Sequence, residues 1–212
     1  MIADESPLRA IGSVMLELMD IRLITTEQEW RDYDSWVRAH PQGTLWQSLQ
    51  WKWYQEALGR TVHIYIAQEG GKIVASALVV VDRTSFGFST WEIPRGPLWS
   101  GNPEALITRI LEDAKKDRCL SVSLSPLSPL PVSISGFVKS PRHLQPEATV
   151  LVDLRLNENE LLSQMKPKGR YNISVAKRHD VHAVLSQDID AFYALLQETG
   201  NRDQFGILPK RQ

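Results

Sequence analysis

The chain has 212 residues, with 24 basic and 25 acidic side chains, a formal net charge of −1 and one cysteine, Cys119. At 42% hydrophobic and 23% charged residues, it is neither a disordered polyelectrolyte nor a collagen-like fibre. The near-zero charge leaves no global field for gripping DNA, so any phosphate site must be a local patch. One thiol cannot make an internal disulfide or a multi-thiolate metal centre, which suits a soluble protein of a reducing cytoplasm.

Residues 1–18 carry Asp4, Glu5, Arg9 and Glu17, too many charges for a spanning helix and the wrong order for a signal peptide. With Met15 and Met19 as alternative starts, residues 1–20 read as an N-terminal extension. Ile21–Ile24 is a short strand. Thr26 and Glu29 have capping-box spacing and open a helix carrying Trp30, Tyr33, Trp36 and Val37 at helical intervals. A second helix, Leu49–Leu58, stops at Gly59. Val62–Ala67 and Ile73–Val81 are strands joined by Glu69-Gly70-Gly71-Lys72, a hairpin signal, and Phe86–Trp91 is predicted as a third antiparallel strand. Asn102 or Pro103 opens a long helix to about Arg118, and Leu120–Leu124 reads as a buried strand.

The Ser- and Pro-rich stretch 126–146 is predicted as loop. Thr149–Leu154 then reads as a strand, Asn157–Met165 as a helix stopped by Pro167, Tyr171–Arg178 as a helix, Val181–Leu185 as a strand and Ile189–Glu198 as a helix. The alternation predicts an α+β layered domain with a mixed sheet and flanking helices, 21–146, followed by the start of a second domain, 147–212.

All seven tryptophans fall between Trp30 and Trp99, three of them in Trp46–Trp53. They serve either as packing for the first domain or as a partly exposed aromatic ledge that holds a ligand. Residues 1–34 carry eight acids and three bases, whereas 166–179 carries Lys166, Lys168, Arg170, Lys177 and Arg178 and no acid. Cations at a helix start either face solvent or hold a phosphate-bearing partner, because unpaired N–H groups there favour anions. His179 and His182 straddle a helix end without further ligands, so no metal site is expected. Cys119 reads as a small core residue.

Four segments carry a family resemblance: Leu45-Trp46-Gln47-Ser48 with Trp51; Ile93-Pro94-Arg95-Gly96-Pro97; Val150–Leu154 with Glu160-Leu161-Leu162 and Met165–Ile173; and Glu198-Thr199 with Arg202, Asp203 and Phe205. Together they resemble the FemABX family of non-ribosomal peptidyltransferases. The resemblance implies GNAT-like domains in tandem, one full and one incomplete here. It also implies transfer of an amino acid from aminoacyl-tRNA to the stem-peptide amine of a peptidoglycan precursor, either UDP-muramoyl pentapeptide or its lipid-linked form. Attack of an amine on an ester requires no cofactor or metal, only orientation, a proton acceptor and oxyanion stabilisation. DNA is not an expected partner, and membrane contact would be at most peripheral.

Substrate-binding residues implied are Lys166, Lys168, Arg170, Arg202 and a basic residue after it, Lys210 or Arg211. Arg95 is the one residue of its turn with side-chain chemistry, and the turn itself is expected to be structural. Lys52 stands one position from the substrate-facing lysine of some relatives. No catalytic residue is assigned, because Ser125 stands before Pro126 where the family often has an acid. Family members are longer, so the chain reads as C-terminally truncated, with weak or no turnover alone. Two further classes stay open: a CoA-dependent N-acyltransferase, though no Arg/Gln-x-x-Gly-x-Gly/Ala loop is present, and a non-catalytic precursor- or tRNA-binding module.

Overall fold

In this computed structural model, residues 19–84, 86–130, 136–141, 145–146, 148–208 and 210 are described. Residues 1–18 of the expected extension and Arg211 lie outside them, whereas its last two residues belong to the fold: Met19 packs against the core and Asp20 opens the first strand. The chain divides into two compact units, Met1–Thr149 and Val150–Gln212.

In the first unit, strand β1 (Asp20–Leu23) leads into helix α1 (Glu27–Ala39), whose Thr26 and Glu29 form the predicted capping box. A 3-10 turn (Leu45–Gln47) and helix α2 (Leu49–Ala57) follow. Strands β2 (Thr61–Glu69) and β3 (Lys72–Arg83) form a hairpin. Gly70 and Gly71 both have positive φ, 55° and 78°, which a two-residue type I′ turn requires. Then come β4 (Ser89–Pro94), a two-residue β5 (Leu98–Trp99), α3 (Glu104–Lys116) and β6 (Cys119–Ser125). The sheet order is β1-β2-β3-β4-β6, with β5 also on β3. All pairs are antiparallel except β4 with β6, which is parallel. This is the mixed sheet with flanking helices that the sequence predicts.

The core lies on both faces of the sheet. Val62, Ile64 and Ile66 of β2, with Leu78 and Val80 of β3, pack against Tyr33 and Val37 of α1 and Leu49 of α2. Their alternates Tyr65 and Ala67, with Ala75, Ala77, Val79 and Val81, meet Leu106, Ile110 and Ala114 of α3. Covering both faces explains why β3 is buried without interruption from Ala75 to Val81 and why that stretch is apolar but for Ser76.

Several expectations are corrected. The third strand begins at Ser89, not Phe86, whose side chain is exposed; the Thr84 N–H donates to the Phe88 carbonyl and the Gly87 N–H to the Thr84 carbonyl, so Phe86 and Gly87 stand outside the ladder. The strand 120–124 is not buried: among the described residues β6 pairs only with β4, Val122 and Leu124 pack on the core, and Leu120 faces solvent.

The second unit is helical: α4 (Glu158–Gln164), α5 (Pro167–Arg178) and α6 (Ile189–Asp203). Asn157 and Glu160 cap α4 reciprocally. Pro167 starts α5 rather than ending a helix, so α5 begins four residues before the predicted Tyr171; proline is favoured at N1, where no N–H is needed. Neither predicted strand forms. Thr149–Val152 and Val181–Leu185 have no regular structure, and Val150, Leu151, Val184 and Leu185 are exposed. β-propensity acts only where a neighbouring strand completes the hydrogen bonds, and among the described residues this unit has none. No helix among the described residues is long and apolar enough to cross a membrane.

Asp117, capping α3, ties the helix to the sheet. It accepts from Arg83 at 2.8 Å, from the Ser89 hydroxyl at 2.8 Å and from the Trp91 indole at 3.1 Å. Burial pushes its carboxyl up, but these three donors outweigh that and hold it below the usual carboxylate range. Its contribution is therefore complete above the unfolded-state value and is lost as pH falls through the lowered folded value. The Asp117→Asn variant is expected to lose about 1–2 kcal/mol at neutral pH, measured by urea unfolding. The gap from the parent should close below about pH 4.

Candidate functional site

Strand β3 loses its partner for a short stretch. On one edge it pairs with β4 from Val80 to Arg83 and with β5 at Ala75 and Ser76, leaving Ala77–Val79 unpaired on that side. The chain leaves β4 at Pro94, turns through Arg95 and Gly96, and returns as β5. Buried backbone groups left open at such a gap would each cost on the order of 1–3 kcal/mol.

The side chain of Gln47, fully buried, closes the gap. Its Oε1 accepts from the Leu78 N–H at 2.8 Å, and its Nε2 donates to the Pro94 carbonyl at 2.7 Å and more weakly to the Leu78 carbonyl at 3.5 Å. The amide thus stands in for one rung of the missing ladder. The Tyr33 hydroxyl donates to the Gln47 main-chain carbonyl, and burial, helped by Asp34, pushes the Tyr33 phenol far up, so it stays a donor. Room for the amide comes from Gly96, where a Cβ would lie 2.5 Å from Gln47 Nε2. The two sequence segments Leu45–Ser48 and Ile93–Pro97 are therefore two halves of one lock. Sequence reasoning missed Gln47 as a structural residue; the signal was a glycine held between two prolines.

The lock sets Arg95 in place. Arg95 has φ 51°, a left-handed conformation that costs a non-glycine residue on the order of 1 kcal/mol. It follows Pro94, the last residue of β4, which pairs with Ser125, the last of β6. Arg95 thus stands at the carboxyl ends of the one parallel strand pair among the described residues, the end at which open sheets carrying parallel strands bind ligands. One Nη donates to the Pro146 carbonyl at 2.8 Å, and the guanidinium lies 5.8 Å from the Trp46 ring centre. Trp46, Trp51 and Tyr54 continue as a run of rings with centroids 6.2 Å and 5.3 Å apart. Trp53 and Tyr54 are about half exposed, whereas Trp91 is core. The tryptophans therefore serve mainly as packing, with Trp30, Trp36, Trp51 and Trp99 also lying against the core, and the ledge is exposed only in part, at Trp53 and Tyr54.

The other predicted residues are placed as follows. Lys52 is buried, with Nζ 2.7 Å from both Glu56 carboxylate oxygens and 4.5 Å over the Trp30 ring. Its charge is partnered by Glu56, and its stem is packed within the first unit. In the second unit, Lys166, Lys168 and Arg170 are exposed around the start of α5, with no acid in its first turn. Arg170 donates to the Met165 carbonyl. Arg202 is paired with its neighbour Asp203 at 2.9 Å, and Lys210 with Asp190.

The FemAB family model matches residues 25–133, a span that contains the Gln47 lock, Arg95 and β6. The chain belongs to the FemAB family. It is 20% identical over 197 residues to proteins named lipid II:glycine glycyltransferase from Staphylococcus haemolyticus (strain JCSC1435) and from Staphylococcus aureus, covering 82% of this chain and 47% of each relative. The chain spans about half the length of the curated relatives it matches. The crystal structure of FemX has the same fold, with a TM-score of 0.65 at 19% identity over 89% of this chain and 52% of that one. The FemAB match stops short of Lys166–Arg170, so the basic segment stands outside it.

A double-mutant cycle tests the lock. Gln47→Ala strands the Leu78 N–H and the Pro94 carbonyl and is expected to cost on the order of 3 kcal/mol. Gly96→Ala forces the amide out and should cost about 1–3 kcal/mol. Because the added methyl occupies space that the truncated side chain vacates, the double variant should lose less than the two single losses combined, by about 1 kcal/mol or more in urea unfolding.

Proposed function

We propose that the chain acts in aminoacyl transfer during peptidoglycan synthesis. The reaction moves an amino acid from aminoacyl-tRNA to the stem-peptide amine of a lipid-linked or UDP-linked muramoyl peptide. The observation that carries this reading is the FemAB match across residues 25–133, and relatives named for glycyl transfer to lipid II support it. The chemistry agrees with what the residues offer. A free amine attacks an activated ester directly, the hydroxyl of the tRNA ribose leaves with a proton, and the protein orients the two reactants and holds the acceptor's anionic groups. Such a site needs a rigid platform with cations and ring faces, which the Gln47 lock, Arg95 and the Trp46–Trp51–Tyr54 run supply in the first unit.

The cationic start of α5 is the reading's candidate for the phosphates of the tRNA donor. Binding there would be electrostatic and would fall steeply with salt. The proposed site is cytoplasmic, where charged tRNA is present.

The test is calorimetric titration of the chain with UDP-muramoyl pentapeptide, with a short-chain lipid II analogue and with acetyl-CoA. Saturable binding of one of the two precursors and none of acetyl-CoA is expected. Binding of acetyl-CoA with neither precursor would replace the reading with a CoA-dependent acyl transfer.

A further inference from the structure

We propose that Arg95 is an anchoring residue for a two-oxygen anion, a phosphate or a carboxylate, on the acceptor. This inference rests on the functional reading above and names a residue for it. Three observations carry it. The backbone at Arg95 is left-handed, a conformation that glycine or asparagine adopts more cheaply, so the residue type is not chosen for the turn and the side chain must justify it. Among the described residues no carboxylate pairs with the guanidinium; its partners are the Pro146 carbonyl and the Trp46 ring. A carbonyl uses one of five donors, and an aromatic face uses none, so a fork of N–H groups stays open.

The third observation is placement. Arg95 sits immediately after Pro94, whose carbonyl is held by Gln47 at 2.7 Å, and beside the carboxyl ends of β4 and β6. Its backbone is positioned and one Nη is bonded before any ligand arrives, so part of the ordering that binding requires is made in advance. Phosphate and carboxylate both fit a guanidinium fork, and the acceptor carries each: a diphosphate at one end and a terminal carboxylate on its stem peptide.

Affinity is measured for the parent, Arg95→Gln and Arg95→Lys against UDP-muramoyl pentapeptide, UDP alone and the free pentapeptide, with thermal unfolding as the folding control. Arg95→Gln keeps a donor for the Pro146 carbonyl, which preserves the turn. It should weaken precursor binding by about tenfold or more, the loss of one charged hydrogen bond, without lowering the melting temperature. Arg95→Lys should recover only part of the affinity, because an ammonium cannot present the fork. If the anion is the diphosphate, the loss appears with UDP alone; if it is the carboxylate, it appears with the free pentapeptide. Parent-like affinity in Arg95→Gln overturns the assignment while leaving the functional reading intact. A parent chain that binds no precursor overturns both. Should Arg95→Gln unfold, Arg95→Lys decides: full affinity would sink the fork.

Discussion

The first unit is organised around one substitution of chemistry: a side-chain amide takes the place of a strand. β3 is buried on both faces, so its backbone groups have no access to water and must find protein partners. Two different strands serve one of its edges, and neither reaches Leu78. Gln47 brings a donor and an acceptor in amide geometry, the same pair of groups that a passing strand would have offered. Because Gln47 comes from the turn between α1 and α2, one side chain joins the helical layer, the central strand and the β4–β5 turn.

The consequences extend outward from that point. Gly96 can have no side chain, since the amide occupies the volume a Cβ would need. Pro94, with its carbonyl held, ends β4 at a defined residue, and Arg95 then starts the turn in a left-handed conformation. Trp46, the neighbour of Gln47, lies next to the guanidinium because the two segments are locked together. On the far side of the turn, the His40 ring bonds to the Trp99 carbonyl at 3.0 Å, tying the end of α1 to β5. The charge and the aromatic ledge are thus placed by the same contact that completes the sheet.

Much of this was legible in the sequence where the signal is local. The capping box at Thr26–Glu29, the Gly70–Gly71 turn and the long helix opening at Asn102–Pro103 each follow from residues close together in the chain. The elements that failed depend on distant partners. Val150–Leu154 and Val181–Leu185 have β-forming side chains, but a strand exists only with its neighbour. The exposure of Leu120 follows from β6 lying at an edge, which no local pattern records. The burial of Lys52 beside Glu56 and Trp30 needs the packed helices as well. Gln47 stands in a sequence motif, yet its role needs Leu78 and Pro94, 31 and 47 residues away.

Amide hydrogen exchange at Leu78 tests the central claim most directly. Its N–H has no strand partner and depends on Gln47 Oε1 alone. If the amide substitutes for a strand, Leu78 should exchange only when the whole unit unfolds, as slowly as the ladder-bonded amides of β3 and with the same dependence on denaturant. Exchange through local opening, faster than those neighbours and insensitive to denaturant, would show that the Gln47 contact does not hold the sheet and would contradict the account.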